Sequence, residues 1–271
     1  MKLAFSTLAC PQWSTEQIVE NARQMGYDAL ELRLLDGAVL DPVKDAEKVK
    51  QAVALSRANG LEVCTFDTSC SFNHSDPAER ERHIADLRNW IQLAQQLQVP
   101  LLRVFGGAGN PDTYSQQEEN AWVADALRQA APQAEQAGVT IVLETHDGFA
   151  SARRTAEVLQ AVASPAVSAL WDSHHPYRVG ESVDEVVQAL NGHIAHVHVK
   201  DARRLDTDPY GWQLVLLGEG EVPVREQLQA LRQQGYQGYV SVEWEKKWHP
   251  EIPDPEVALP QHIALMKQWT A

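Results

Sequence analysis

The chain has 271 residues, 44% of them hydrophobic, with 37 acidic against 23 basic residues and a formal net charge of -14. That balance gives ample material for a core and excludes a nucleic-acid partner, because phosphate polymers would be repelled and no Lys/Arg cluster forms a local basic groove. A membrane partner and export are excluded too: no apolar run is long enough to span a bilayer, and "MKLAFSTLACPQW" lacks a sustained h-region, so a cytoplasmic protein is expected.

Taken in chain order, short apolar runs alternate with longer amphipathic ones. The first strand is "KLAFS", followed by a helix whose start carries a capping box, Ser14 with Gln17. "ALELRL" is the second strand, and Asp41-Pro42 places an N-cap acid before a proline at the first position of the next helix. Gly60 sits where a helix C-cap is expected, before the strand "LEVCTF". Asp76-Pro77 repeats the acid-proline start, and "LLRVFGG" follows as the fourth strand. Gly138 ends another helix before "TIVLETH", and "VSALWDS", "HIAHVHVKD" and "YVSVEWE" complete the set. Strand-helix alternation of this kind predicts a parallel sheet. About eight units in roughly 250 residues predict an α/β fold, a single-domain (β/α)8 TIM barrel over residues 1–271. A doubly wound open sheet would be expected to show a glycine-rich fingerprint after an early strand, where this chain has "STLACPQW". Cys10, Cys64 and Cys70 are an odd number at unrelated spacings, which gives neither a disulfide framework nor a zinc ribbon.

The polar residues cluster at strand ends. If "HIAHVHVKD" is a strand, His196, His198 and Lys200 share one face while Ala195, Val197 and Val199 occupy the other. A polar row on a strand that is normally buried on both faces needs a partner that offsets its desolvation. Three further strands also end in candidate ligands, Glu144, Asp172 and Glu243, and strand ends of a barrel converge on one mouth. Each residue alone has an ordinary explanation: a solvated strand-end Glu, a turn-shaping Asp172 before "SHHP", a hydrogen-bonded core histidine. The convergence of four carries the metal reading. Three carboxylates and one imidazole form a mostly hard set, suited to one Mn2+, Mg2+ or Co2+ ion, with Zn2+ also admissible.

"VLETH", "LWDSHH", "HVHVKD" and "SVEWE" resemble, in order and spacing, the xylose isomerase-like TIM barrel superfamily, in its sugar phosphate isomerase/epimerase branch. The resemblance implies that Glu144, Asp172, His198 and Glu243 bind one divalent ion. It further implies that His175 and Arg204, or its neighbour Arg203, hold substrate oxygens. The endonuclease IV type of DNA repair enzyme shares the superfamily but carries a three-zinc cluster with further histidines on early strands and an Asp-x-His. Here "RVFGG" has no histidine, no Asp-x-His follows Asp201, and His74 alone matches an early ligand, so DNA cleavage is not expected. Ketose epimerases usually carry a further glutamate at about Ala150, which this chain lacks. "ETHDGF" also resembles the corresponding segment of dehydratases in the superfamily.

The expected chemistry is that of a metal-dependent sugar, sugar phosphate or cyclitol isomerase or epimerase. The metal would polarise a carbonyl and stabilise the enediolate, with Glu144 and Glu243 moving protons from different sides. The alternative is a metal-dependent dehydratase of an inosose or dehydroshikimate-like substrate; a non-catalytic barrel that binds a metal and a small ligand is a third reading. His146 shares the parity of Glu144 and either reaches substrate or caps the next helix. Glu31, Arg33 and Arg103 either bind substrate or form a structural ion pair across the mouth. The long segment "ARRLDTDPYGWQLVLLGEGEV" reads as a lid. Trp212, Trp244 and Trp248 would exclude water, pack ordinarily, or form the interface of a homodimer or homotetramer. Cys70 is expected to line the pocket.

Overall fold

A computed structural model of the chain describes residues 1–207 and 211–270. The strands that form the barrel are β1 (Lys2–Ser6), β2 (Ala29–Leu32), β3 (Glu62–Ser71), β4 (Leu101–Phe105), β5 (Thr140–Glu144), β6 (Val167–Asp172), β7 (Ile194–Val199) and β8 (Tyr239–Val242). The helices between and after them are α1 (Thr15–Met25), α2 (Ala46–Ala58), α3 (Pro77–Leu97), α4 (Gln116–Ala137), α5 (Ala152–Val162), the short α6 (His175–Arg178) and α7 (Val183–Ala189), α8 (Val224–Gln233) and α9 (Pro255–Thr270). Each strand lies beside its chain neighbours and β1 closes the ring against β8, giving the (β/α)8 barrel that the alternation predicts.

By packing, the chain falls into two compact units. One comprises Met1–Leu40, Glu47–Cys64 and the chain from Val197 onward. In it β1 pairs in parallel with β8, Lys2 opposite Tyr239 and Phe5 opposite Val242, and with β2, Ala4 opposite Ala29. The Phe5 and Tyr27 rings meet edge-on at 4.9 Å, and the Tyr27 hydroxyl donates to the Leu259 carbonyl of α9, so a buried phenol keeps its hydrogen bond. The second unit comprises Asp41–Ala46 and Thr65–His196. Its strands β4, β5 and β6 run in parallel, with Phe105 opposite Glu144 and Glu144 opposite Leu170. That register sets the ends of β5 and β6 side by side.

The helix signals hold with one exception. Ser14 and Gln17 form a reciprocal capping box on α1, Asp76 accepts the Ala78 N–H ahead of Pro77, and Gly138 closes α4 in the left-handed region at φ 66°. Asp41-Pro42 does not start a helix. Asp41 Oδ1 accepts the N–H groups of Val43 and Lys44, and Asp45 accepts the Asp41 N–H, so side chains satisfy the backbone in a separate turn and α2 begins at Ala46.

The segment after β7 contains a two-stranded ribbon rather than only a loop. Asp201–Arg204 pairs antiparallel with Trp212–Val215, and residues 208–210 of the expected lid lie outside the described residues. The Asp201 carboxylate anchors the ribbon by accepting the N–H groups of Ala202, Gly218, Gly220 and Val222. Burial pushes this carboxyl up while those four donors pull it down. A Cβ at position 220 would lie 2.2 Å from Asp201 Oδ1, so only glycine lets the turn approach. All three cysteines are buried and form no disulfide. Among the described residues, no helix is long and apolar enough to cross a membrane.

Candidate metal centre

In the second unit, Glu144 and Asp172 are the last residues of β5 and β6, and neither is exposed. Asp172 Oδ1 accepts the N–H groups of His174 and His175 at 2.8 and 3.0 Å, and Thr145 Oγ1 accepts the Asp172 N–H at 3.0 Å. The turn-shaping role expected of Asp172 is therefore present, and it uses one carboxylate oxygen. Arg103, 2% exposed, sets its Nε 3.4 Å from Glu144 Oε2 and 3.8 Å from Asp67 Oδ1. It donates to the Thr68 carbonyl and lies 3.9 Å over the Phe105 ring. Arg103 is thus a structural ion-pair partner, with Asp67 and Glu144 as its carboxylates. His146 and His175 pack edge-on at 4.3 Å, with His175 Nε2 4.0 Å from Asp172 Oδ1 and His146 Nδ1 3.1 Å from Asp147 Oδ2.

In the first unit, His198 has no exposed surface. Its Nδ1 is 3.4 Å from Glu243 Oε1, and its Nε2 is 3.1 Å from each oxygen of Glu31. Lys200, 1% exposed, donates to Glu243 Oε2 at 2.5 Å and to Glu245 Oε1 at 2.7 Å. The polar face of β7 is as expected, with His196, His198 and Lys200 all buried; His196 Nε2 lies 3.4 Å from Thr65 Oγ1.

Each unit therefore carries buried candidate ligands: Glu144 and Asp172 at the ends of adjacent strands in one, and Glu31, His198 and Glu243 in mutual contact through the imidazole in the other. The charge inventory fits a bound cation. Asp67, Glu144 and Asp172 stand against Arg103 in one unit, and Glu31, Glu243 and Glu245 stand against Lys200 in the other. Buried carboxylates in excess of their cations carry a desolvation cost that a divalent ion would offset.

The other expected residues take the following positions. Arg204 is exposed on the ribbon with its guanidinium 5.2 Å over Trp212, and its neighbour Arg203 donates to Gln213. Trp244 is core, its indole N–H donating to the Pro253 carbonyl, and Trp248 is 48% exposed. Cys70 is buried near the end of β3. Two participants exceed the sequence reading: Glu31, in its contact with His198, and Asp67, which lies beyond the expected end of its strand.

Residues 19–269 match the xylose isomerase-like TIM barrel family, and the chain belongs to that family. Fructoselysine 3-epimerase of Shigella flexneri is 22% identical over 255 residues, covering 90% of each chain. The structure of the probable 3-DHS dehydratase AsbF, involved in petrobactin synthesis in Bacillus anthracis, superposes with a TM-score of 0.79 at 22% identity, over 98% of this chain and 99% of that one. The IOLI protein with a bound zinc atom superposes with a TM-score of 0.83 at 19% identity, over 100% of this chain and 98% of that one. Both structural likenesses concern the fold.

Proposed function

We propose that the protein is a divalent-metal-dependent isomerase or epimerase acting on a small sugar or cyclitol. The observation that carries this reading is that buried candidate ligands stand at strand ends in both units: Glu144 and Asp172 close the adjacent strands β5 and β6, and His198 faces Glu243 at 3.4 Å. The epimerase activity named for the Shigella flexneri relative supports the same class.

A divalent ion held by these four residues would polarise a substrate carbonyl and acidify the neighbouring C–H. Glu144 and Glu243 supply the proton transfer. Glu144 ends β5 and Glu243 directly follows β8, strands separated in the barrel order by β6 and β7, and the proposed chemistry assigns them to different sides of a substrate. One takes the proton and the other returns it to the opposite face, inverting the carbon; return to the adjacent carbon on the same face interconverts ketose and aldose. Arg103 fixes Glu144 and Lys200 fixes Glu243, so each acid-base group is oriented before substrate arrives. His146 and His175 are donors for substrate oxygens.

A second reading, dehydration, is favoured by Lys200. Elimination needs an acid for the departing hydroxyl in addition to the base, and a buried ammonium already bonded to Glu243 could supply it. Incubation of the metal-loaded protein with ketoses and cyclitol ketones in deuterated water separates the two. Proton return places solvent deuterium next to the carbonyl in a product of unchanged elemental composition. Mass loss of one water from the active substrates would overturn the isomerase reading.

A further inference from the structure

The loops after β3 and β4, together with Asp147 after β5, enclose a cleft of about 480 Å3 within the second unit. That volume is in the range of small-molecule sites. The cleft adjoins the carboxylates. Phe105, on its wall, stands opposite Glu144 in the sheet and its ring is 4.9 Å from His146, while Asp147 follows His146 directly.

The cleft's charge is one-sided. Among the described residues, no lysine or arginine lines it, and Asp147 is its carboxylate. The nearby arginines are occupied. Arg80 donates to the His74 and Ser75 carbonyls and stacks on Trp122. Arg154 is divided among Asn120, the Gly148 carbonyl and Glu119. Three N–H groups of the loops around the cleft are engaged within the protein as well. With the Asn73 amide oriented to satisfy both its ends, its oxygen accepts the Gly109 N–H at 2.7 Å; Glu119 accepts the Asn110 N–H, and the Gly148 N–H goes to the Gly107 carbonyl. His83, stacked on His74 at 4.8 Å, accepts the Ser71 N–H through Nδ1, and burial lowers its pKa, so it adds no cation at neutral pH.

What remains is hydrogen-bonding capacity. The cleft presents the Ser71 and Ser75 hydroxyls, the Tyr114 phenol and the imidazole of His74, whose buried Nε2 has no partner among the described residues. A buried imidazole nitrogen without a partner is satisfied by a ligand hydroxyl. A phosphate dianion placed here would meet Asp147 and, among the described residues, neither lysine nor arginine.

We infer that this cleft holds the distal, hydroxyl-bearing end of an unphosphorylated substrate and discriminates against a terminal phosphate. The inference rests on the sugar-type chemistry proposed above, and it narrows the substrate class at that same site. The test is calorimetric binding of D-fructose and D-fructose 6-phosphate to the metal-loaded full chain at low salt. The unphosphorylated sugar should bind at least about tenfold more tightly. Asp147→Asn retains a residue type tolerated at φ 48° and should shrink that ratio. Ser75→Lys, which adds a cation at the exposed rim, should shrink it further or reverse it.

Equal or tighter binding of the phosphate ester by the unaltered protein, binding of neither sugar, or a ratio unmoved by both substitutions would overturn the inference. Deuterium exchange measured on the same samples keeps the two readings apart. Exchange without discrimination sinks only the subsite, and discrimination without exchange sinks only the proton-transfer chemistry.

Discussion

Glu31→Gln tests whether the β7 histidine is held for metal binding. His198 Nε2 faces both oxygens of Glu31 at 3.1 Å with neither side chain exposed, and its Nδ1 faces Glu243 Oε1 at 3.4 Å. A proton on Nε2, shared with Glu31, leaves the Nδ1 lone pair as the ligand; this is the way carboxylate partners orient metal-binding imidazoles. Glutamine keeps the shape and one acceptor oxygen but removes the charge. A hydrogen bond to a charged partner contributes about 1.5–3 kcal/mol and a neutral one about 0.5–1.5 kcal/mol, so the variant should lose about 1–1.5 kcal/mol of metal binding, on the order of tenfold in affinity. Competition between the protein and a chromophoric chelator for Co2+ measures this without reference to turnover, and circular dichroism confirms that the variant is folded. An affinity within about twofold of the unaltered protein would refute the positioning role, since second-layer partners typically contribute 10–100-fold, roughly, to metal affinity. A much larger loss with an altered Co2+ absorption band would place Glu31 among the ligands themselves, beside His198.

Glu243→Gln should retain the fold and lose at least about a hundredfold in turnover, because an amide cannot accept the proton; metal content is measured alongside, and a metal-loaded variant with near-normal rate would remove Glu243 from the chemistry. His262, beneath Trp244, gives a pH prediction. Burial lowers its pKa from 6.5 to about 4, so between those values the unfolded chain binds more protons than the folded one, and stability present above pH 6.5 declines as pH falls through the window. The loss is on the order of 3 kcal/mol by pH 4, and His262→Leu should flatten that part of the urea-unfolding profile; an unchanged slope in the variant would assign the acid sensitivity to other groups.

The barrel was legible because its strands read as separate apolar runs, and the four positions proposed as ligands stand out because each closes such a run. Partners fixed by tertiary register were less visible. Glu31 and His198 are far apart in sequence, and nothing local to "ALELRL" indicates that its glutamate meets an imidazole from β7. Asp67 was hidden by strand length: "LEVCTF" stops at Phe66, whereas β3 continues to Ser71 with a register shift between Asp67 and Ser71. The ribbon after β7 reads as a loop because its anchor is one carboxylate serving four backbone amides, two of them on Gly218 and Gly220. Asp41 shows the limit of cap patterns: the acid-proline pair is genuine, but Asp45 competes for the backbone and the helix yields.

The three carboxylates proposed as ligands share a feature that bears on the chemistry. Asp172 Oδ1 is engaged by two backbone amides, Glu144 Oε2 by Arg103, and Glu243 Oε2 by Lys200. Each is therefore anchored within the protein, which fixes its rotamer and lowers the entropy cost of holding a cation. For Glu243 the arrangement does more. Lys200 sits between Glu243 and Glu245, so its ammonium is shared and draws only partly on the reacting carboxylate. A base needs enough electron density to take a proton and enough orientation to take the right one. Sharing the lysine with Glu245 supplies the orientation while leaving more of the density, which favours proton transfer by Glu243 over permanent neutralisation of its charge.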